Sequence, residues 1–253
     1  MATPDLIDTT EMYLKTVFEM EEDGVVPMRA RIVERLDHSG PTVSQTIGRM
    51  ERQGLVSVRD DRRLELTPAG REHAEGVIRK HRLAEQLLIS VIGLDWVRAH
   101  EEACRWEHVM SEAVEQKIAD LLGNPDCDPY GNPLPGSGGV RNVAEMSGET
   151  AARNAGVGHA PLRATLTRIG EPLQAEQEAL RALDDAGIRP GTDVWIQQGP
   201  NGFEIWPRTE TNDSAGDNHG NSEEDSRTKV NEGVVLAPTL APHLFVEIVG
   251  EQA

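Results

Sequence analysis

The chain has 253 residues, enough for two or three small domains, and a formal net charge of −18. It has no apolar run as long as the roughly 18 residues of a membrane span and no signal-peptide pattern at its start. These features predict a cytoplasmic protein without a membrane partner, and its two cysteines exclude a disulfide framework. The charge is uneven, because residues 24–64 hold eight Arg against five acidic residues. Local charge decides whether a surface can approach phosphate, so the N-terminal segment remains compatible with DNA.

The N-terminal segment has the spacing of three helices. Residues 5–22 place apolar side chains at helical intervals, and residues 27–36 form a short amphipathic helix. A Gly-containing turn over 37–40 follows, and Pro41 then begins a helix that Gly54 ends. Two short helices joined by a four-residue turn predict a helix-turn-helix.

The second helix of this pair directs polar side chains outward. Hydroxyl, amide and guanidinium groups can bind base edges and phosphates, although the same composition suits an ordinary solvated face. These outward residues are Thr42, Ser44, Gln45, Arg49 and Arg52. Two short alternating segments, 55–58 and 64–66, flank a basic turn and predict a hairpin. We therefore expect a winged helix-turn-helix domain over residues 1–73.

Three longer helices are predicted next. Thr67-Pro68 begins one that Gly93 stops, a second covers 95–110, and Ser111 begins a third. Their apolar faces, next to a small DNA-reading unit, indicate a dimerisation and sensing domain over 74–140, because paired half-sites on DNA require two-fold proteins. The potential ligands described next make it a metal-binding domain as well. The same faces could instead form an intramolecular core.

One helix of this domain carries potential metal ligands. His100, Cys104 and His108 recur every four residues, and Glu107 lies beside the last two, within an arc of about 100°. Imidazole, thiolate and carboxylate are ligands of transition metals. The alternative is that these side chains are ordinary surface and core residues without a bound ion. The two histidines lie about 12 Å apart along the axis, so the stripe indicates two sites, or one site and a bystander. His81 and Glu85 form a second pair at the same helical spacing.

The C-terminal half has less regular patterning. Pro and Gly from residue 127 to 161 predict loops, with a flexible linker over 141–161. A third domain over 162–253 is predicted, with an acidic, polar loop at 209–229 that we interpret as disordered. Its expected strands are 162–169, 192–197, 233–236 and 244–249, with a helix over 174–186.

Several strings resemble the family of the diphtheria toxin repressor and the iron-dependent regulators. They include DTTEMYL at 8–14, SGPTVSQT at 39–46, RKHRLAE at 79–85, EACRWEHVMS at 102–111 and GNPLPG at 131–136. The resemblance is nearly continuous over 5–136 and weaker over 162–249. It implies a mainly α fold with small β elements: a winged helix-turn-helix, a helical dimerisation domain and a small β-barrel of the SH3-like type.

The resemblance also implies two metal sites. A primary, activating site matches Met12, Cys104, Glu107 and His108, and an ancillary site matches His81, Glu85, His100 and Glu176. The family pattern has a Gln as a further third-domain ligand, but Ala179 stands there, with Glu178 as a neighbouring substitute. The DNA-contacting positions of the family match Thr9, Arg29, Ser39, Pro41, Thr42, Ser44, Gln45, Arg49, Arg52 and Arg62.

The expected function is transcriptional repression of iron-homeostasis genes. Metal would order the N-terminal helix and enable one or two homodimers to bind double-stranded operator DNA. The resemblance implies Fe(II) as the effector, whereas affinity order alone would favour Co(II), Ni(II) or Zn(II). Mn(II) is a further candidate ion, and a Mn(II)-responsive regulator is the main alternative. A metallohydrolase is a distant alternative, because the sequence contains no HExxH, nucleophile-elbow or phosphate-loop motif.

Overall fold

The computed structural model describes residues 9–138, 144–156, 160–200, 202–209 and 233–249. The chain divides into two compact units: unit 1 contains Met1–Pro129 and Pro133–Gly139, and unit 2 contains Tyr130–Asn132 and Val140–Ala253. The described elements of unit 1 are α1 (Thr9–Glu22), α2 (Arg29–Leu36), α3 (Gly40–Arg52), β1 (Val56–Val58), β2 (Leu64–Leu66), α4 (Pro68–Leu87), a π-helical turn (Leu88–Ile92), α5 (Trp96–Trp106) and α6 (Glu112–Leu121). Among these described residues, no helix is both long and apolar enough to cross a lipid bilayer.

The first part of unit 1 is a winged helix-turn-helix, as predicted. The Ser39 side chain accepts a hydrogen bond from the Thr42 amide and caps the start of α3. β1 and β2 pair antiparallel, and Arg62 at the tip of this wing has a φ of 68°. Apolar residues from α1, α2, α3, the wing and α4 close a common core, which includes Tyr13, Leu14, Ile32, Ile47, Met50 and Leu64. This packing holds α1 and α3 on one body.

The second part of unit 1 is helical, with two differences from the predicted boundaries. The long helix changes at Leu88 into a π-helical turn, which ends at Gly93 with a φ of 77°. The predicted 95–110 helix begins at Trp96, where Asp95 caps it, and ends at Trp106. It ends early because the amides of Val109 and Met110 both bond back to the Trp106 carbonyl in a tight turn. Glu107 and the residue after it therefore lie at the end of α5 rather than within it.

Unit 2 is built on an antiparallel sheet, as expected for the third domain. Its described elements are β3 (Met146–Ser147), α7 (Gly148–Ala155), β4 (Leu162–Ile169), α8 (Glu171–Gln174), α9 (Gln177–Asp185), β5 (Asp193–Gly199), β6 (Gly202–Pro207), β7 (Val234–Leu236), a 3-10 turn (Ala241–His243) and β8 (Leu244–Ile248). The strand order among these is β3-β8-β4-β5-β6-β7. Its core contains Leu166, Ile196, Phe203, Ile205 and Phe245, which are buried.

Three expectations for this half need correction or fall outside the description. The flexible linker predicted at 141–161 is wrong over 146–155, where β3 and α7 form. The small residues there are packing residues, since a Cβ on Gly148 would lie 2.8 Å from the Phe203 ring, and Ala151 and Ala152 are buried. The helix predicted over 174–186 is two helices, α8 and α9, and β6 was not predicted. The acidic loop predicted at 209–229 lies outside the described residues except for Thr209.

The chain segment Tyr130–Asn132 belongs to unit 2 although residues on both sides of it belong to unit 1. The Ile169 amide donates to the Tyr130 carbonyl at 2.8 Å, and Asn132 Nδ2 donates to the Ile169 carbonyl at 3.0 Å. Gly131, with a φ of 86°, lies so close that a Cβ would stand 2.1 Å from the Thr167 carbonyl oxygen. These contacts make the segment an integral part of the second unit.

Candidate metal centre and DNA-reading surface

Two helices of unit 1 carry most of the predicted metal ligands. α4 presents His81 and Glu85, one helical turn apart and both fully buried. α5 carries His100 and Cys104, also one turn apart, and Glu107 is its C-terminal cap residue. Because α4 and α5 pack against each other, the two pairs face one another in the interior of the unit.

The α4 and α5 side chains form one compact cluster. The ligand atoms of His81, His100 and Cys104 all lie within 4.8 Å of one another. Glu85 Oε1 lies 2.8 Å from His81 Nε2 and 3.1 Å from His100 Nδ1. The other ring nitrogen of His100, Nε2, lies 3.7 Å from Cys104 Sγ. His100 therefore links a buried carboxylate to a thiol.

A second set of contacts centres on Glu107 and involves α1. Glu107 Oε2 accepts a hydrogen bond from Lys15 Nζ at 2.7 Å and lies 2.7 Å from His81 Nδ1. Glu107 Oε1 lies 3.1 Å from His108 Nε2. His108 Nδ1 in turn lies 2.7 Å from Glu11 Oε2. Through Glu11 and Lys15, α1 meets the end of α5 and a face of α4.

The thiol and imidazole of α5 shift each other's protonation. Burial raises the pKa of the Cys104 thiol, but the positive charges of Lys15 and then His100 outweigh it and lower the pKa to about 5. Burial lowers the pKa of His100, but the Cys104 thiolate and then Glu85 raise it to about 10. At neutral pH Cys104 is therefore a thiolate, the form of cysteine that binds metals.

The carboxylates of the cluster are held ionised despite their burial. Burial raises the pKa of Glu85, but the charge of His81 outweighs it and lowers the pKa to about 2. Burial likewise opposes ionisation of Glu107, while the Lys15 ammonium lowers its pKa well below the usual range. The pKa of His108 is raised, chiefly by its hydrogen bond to Glu107. Positive charge is thus what these buried carboxylates require.

These residues fit a bound transition-metal ion. A thiolate, imidazole nitrogens and ionised carboxylates form a donor set that suits borderline-soft divalent ions. Glu85 Oε2 is buried without a hydrogen-bond partner, which is costly for a carboxylate oxygen unless a cation lies against it.

The structure brings together six of the eight residues predicted as metal ligands. These six are His81, Glu85, His100, Cys104, Glu107 and His108. Met12 is half-buried against the apolar core of the winged helix-turn-helix. Glu176 lies in unit 2, exposed, immediately before α9, and Glu178 in the first turn of α9 is also exposed. The division into a primary and an ancillary site stays a prediction, because contacts run between members of both sets.

Two members of the cluster were not predicted as site residues, namely Glu11 and Lys15. Lysine is usually a surface residue, and neither the apolar spacing of α1 nor the family resemblance marks Glu11 or Lys15. The available signal was the four-residue spacing of Glu11, Lys15 and Glu19 next to Met12. That spacing places the three charged side chains on one face of α1.

The residues predicted to contact DNA lie around α3, its turn, α1 and the wing. Arg29 is half-buried, and the other nine residues are exposed. The exposed residues are Thr9, Ser39, Pro41, Thr42, Ser44, Gln45, Arg49, Arg52 and Arg62. Arg49 Nη2 on α3 lies 3.4 Å from Thr10 Oγ1 on α1.

A partly buried contact also joins α1 to the helix-turn-helix. Tyr13 Oη lies 2.8 Å from Nδ1 of His38, which is in the turn between α2 and α3. Burial raises the pKa of Tyr13, so its hydroxyl keeps its proton at neutral pH and can donate it to the imidazole. The helix that carries Met12 is thereby bonded directly to the turn between α2 and α3.

Comparisons with protein families match unit 1 almost end to end. The family model described as "Iron dependent repressor, N-terminal DNA binding domain" matches residues 5–64. The model described as "Iron dependent repressor, metal binding and dimerisation domain" matches residues 67–136.

Individual relatives extend the match beyond these models. The diphtheria toxin repressor of Corynebacterium glutamicum is 53% identical over 194 residues, covering 76% of this chain and 85% of that protein. The iron-dependent repressor IdeR of Mycobacterium tuberculosis is 48% identical over 202 residues, covering 78% of this chain and 87% of that protein. Among solved structures, T. acidophilum IdeR has a TM-score of 0.68 at 24% identity, with coverage of 95% and 98%. A manganese-dependent transcriptional repressor with manganese has a TM-score of 0.72 at 22% identity, with coverage of 95% and 100%.

Proposed function

This chain belongs to the iron-dependent repressor family, and from that premise we propose that Fe(II) is the effector of its operator binding. The protein is a metal-dependent, DNA-binding transcriptional repressor. The observation that carries the proposal is the buried set of thiolate, imidazole and carboxylate groups that joins α4 and α5 to α1. The proposed target genes are those of iron homeostasis, and the proposed location is the cytoplasm, where operator DNA is accessible.

We assign two metal sites within this cluster. Met12, Cys104, Glu107 and His108 would form the primary site, and His81, Glu85 and His100 would form the ancillary site. The buried, unpartnered Oε2 of Glu85 supports the ancillary site, and the thiolate state of Cys104 supports the primary site. Glu176 stays a predicted further ligand.

The N-terminal helix α1 would convert metal binding into DNA binding. A bound ion would supply a positive centre to which thiolate, carboxylate and imidazole donors of α5 and the thioether of Met12 are attracted. Met12 lies one turn from Thr9, and Tyr13 is hydrogen-bonded to the helix-turn-helix through His38. A fixed α1 therefore fixes α3. Since metal and operator would favour the same conformation, each would raise the affinity for the other by the same factor.

The donor chemistry favours Fe(II) over Mn(II). Thiolate and thioether donors suit Fe(II), Co(II), Ni(II) or Zn(II) better than the harder Mn(II), and metal availability must then select among the candidates. A Mn(II)-responsive regulator is the second candidate. It has the support of the fold likeness to a manganese-dependent repressor.

We propose that a second copy of the chain covers an apolar surface on the helical half of unit 1. Large apolar side chains are exposed in the π-helical turn, after α5 and on α6, and a second copy would remove them from water. They are Val91 at 56%, Ile92 at 55%, Val109 at 81%, Val114 at 50% and Leu121 at 65% exposure. A two-fold dimer would present two α3 helices to the two halves of an operator, with one or two dimers per site.

Anaerobic operator binding tests the proposal. A duplex selected from a random pool by the Fe(II)-loaded protein is titrated with protein at increasing Fe(II) or Mn(II). We expect Fe(II) to act at lower concentration than Mn(II), and Cys104→Ala to abolish the metal response. Cys127→Ala, a matched change at the exposed second cysteine, should leave it intact. A wild-type response in Cys104→Ala would refute the primary-site assignment.

Two substitutions on α3 test the DNA-reading surface. Gln45→Ala should reduce discrimination between operator and mutated operators by about 1–3 kcal/mol if its amide binds a base edge. If Arg52 binds a phosphate, Arg52→Ala should weaken binding to all duplexes alike. It should also lower the number of counterions released on DNA binding, measured from the salt dependence of the affinity, by about one. An identical, sequence-independent loss in both variants would contradict this division of roles.

The metallohydrolase alternative predicts a different measurement. A hydrolytic site needs an open coordination position and a general base that activates water. Metal-dependent turnover of a phosphate or peptide substrate, with no effect of metal on DNA affinity, would favour that alternative.

A further inference from the structure

Lys15 is the positively charged side chain at the centre of the buried cluster. Its Nζ donates to Glu107 Oε2 at 2.7 Å, lies 3.1 Å from His81 Nδ1 and lies 3.9 Å from Glu19 Oε1. Its side chain is 8% exposed, and that of Glu107 is 4% exposed. A lysine so deeply buried requires an anionic partner, and the shortest of its contacts here is to Glu107.

The same carboxylate is a proposed metal ligand, so two cations compete for it. Glu107 Oε2 is the oxygen that Lys15 contacts, and the other oxygen faces His108. Lys15 also contacts His81, which belongs to the other proposed site. An ammonium group and a divalent ion at neighbouring positions repel each other strongly in a buried environment. Lys15 and the ion therefore cannot share this carboxylate without cost.

We propose that Lys15 is an internal counter-cation of the Glu107 carboxylate and sets the metal affinity of the primary site. This inference rests on the proposed metal sites. Metal binding then exchanges one cation for another at Glu107 and releases the Lys15 ammonium. Lys15 lies one helical turn after Met12 on α1. The exchange thus replaces one link between α1 and α5 with another, so that Lys15 is a positioning and affinity-determining residue rather than a ligand.

Direct metal titration of the full-length protein tests this. Co(II) is titrated anaerobically in competition with a chromophoric chelator, which gives the metal affinity of the protein. The thiolate-to-metal absorption of the Co(II)-loaded protein reports ligation of Cys104. Lys15→Met removes the charge and keeps an unbranched chain, Lys15→Arg keeps the charge, and Lys117→Met makes the same charge change at an exposed lysine on α6. Urea unfolding in excess chelator reports the stability of each variant without metal.

The proposal predicts opposite effects on two quantities. Lys15→Met should bind Co(II) at least about tenfold more tightly while being less stable in chelator, because Glu107 loses its internal partner. Lys15→Arg and Lys117→Met should keep affinities within about threefold of the wild type. If Lys15→Met fails to fold, Lys15→Gln, which keeps a hydrogen-bond donor for Glu107, is titrated instead.

An unchanged or weaker Co(II) affinity in a folded, uncharged Lys15 variant would overturn the proposal, since a purely structural lysine would lower affinity and stability together. Failure of the proposed function looks different. In that case the wild-type protein itself would show no thiolate-to-metal absorption.

Discussion

Replacing Glu85 with Gln removes one buried negative charge while keeping the size of the side chain. Glu85 is fully buried, which raises its pKa, but the two neighbouring imidazoles outweigh burial and lower the pKa from 4.5 to about 2. Each pKa unit corresponds to about 1.4 kcal/mol, so ionised Glu85 contributes about 3 kcal/mol to the free energy of unfolding at neutral pH. Glu85→Gln should lose about that amount, measured by urea unfolding in excess chelator at pH 7.

The pH dependence of the loss follows from the direction of the shift. A carboxyl whose pKa is lower in the folded protein stabilises it fully above the unfolded value, here 4.5. That contribution is lost as the pH falls towards the folded value of about 2. The difference in stability between the wild type and Glu85→Gln should therefore shrink at about pH 3.5. Glu72→Gln, an exposed site on the same helix, is the matched control and should change stability by less than about 0.5 kcal/mol.

The same variant tests the ancillary site. With a neutral amide in place of the carboxylate, the number of Co(II) ions bound should fall from two to one, while the thiolate-to-metal absorption persists. Equal stability of Glu85→Gln and wild type at pH 7, or a difference that does not change with pH, would refute the reasoning that the imidazoles hold Glu85 ionised.

Three further predictions concern other parts of unit 1. In a Cys127→Ser variant without metal, thiolate absorbance reports Cys104 alone and should titrate with a midpoint near pH 5. A midpoint near 9 would contradict the assigned charge environment. Tyr13→Phe should leave Co(II) affinity unchanged but weaken the effect of metal on operator affinity by about 1 kcal/mol, the usual contribution of a hydrogen bond. An unchanged effect of metal on operator affinity would show that the Tyr13–His38 contact does not couple the two binding events. Gly70→Ala should destabilise unit 1 by about 3 kcal/mol in urea unfolding, because the added Cβ would lie 1.9 Å from a backbone carbonyl oxygen. The control is Gly76→Ala on the same helix, where the added Cβ meets nothing within 4 Å, so the change should be neutral or stabilising.

Much of the fold of unit 1 could be predicted from the sequence because its signals are local. Ser39, Thr67 and Ser111 cap helices where the sequence analysis placed helix starts. The Gly148–Ala155 helix could not be predicted, because its Gly and Ala residues also suit a loop. Its packing against Phe203 depends on a strand more than fifty residues later in the chain. Long-range packing of this kind leaves no periodic trace in the segment itself.

The candidate metal centre was predicted in composition but not in connectivity. Helical spacing identified His81 with Glu85 and His100 with Cys104, because both pairs lie within single helices. The spacing could not show that Lys15 would lie against Glu107, since the two residues are 92 positions apart. Whether the network divides into two sites as predicted depends on ion binding, which the Co(II) titrations measure.

The interleaving of the two units has a consequence for their modularity. The chain passes from unit 1 to unit 2 for Tyr130–Asn132, returns to unit 1, and passes to unit 2 again after residue 139. Recombination at a single point between the units would therefore leave Tyr130, which is fully buried, without its neighbours. An exchange of the C-terminal unit with another protein must also exchange or rewrite this tripeptide. A chimaera that joins the two units at residue 139 alone should therefore destabilise the C-terminal unit.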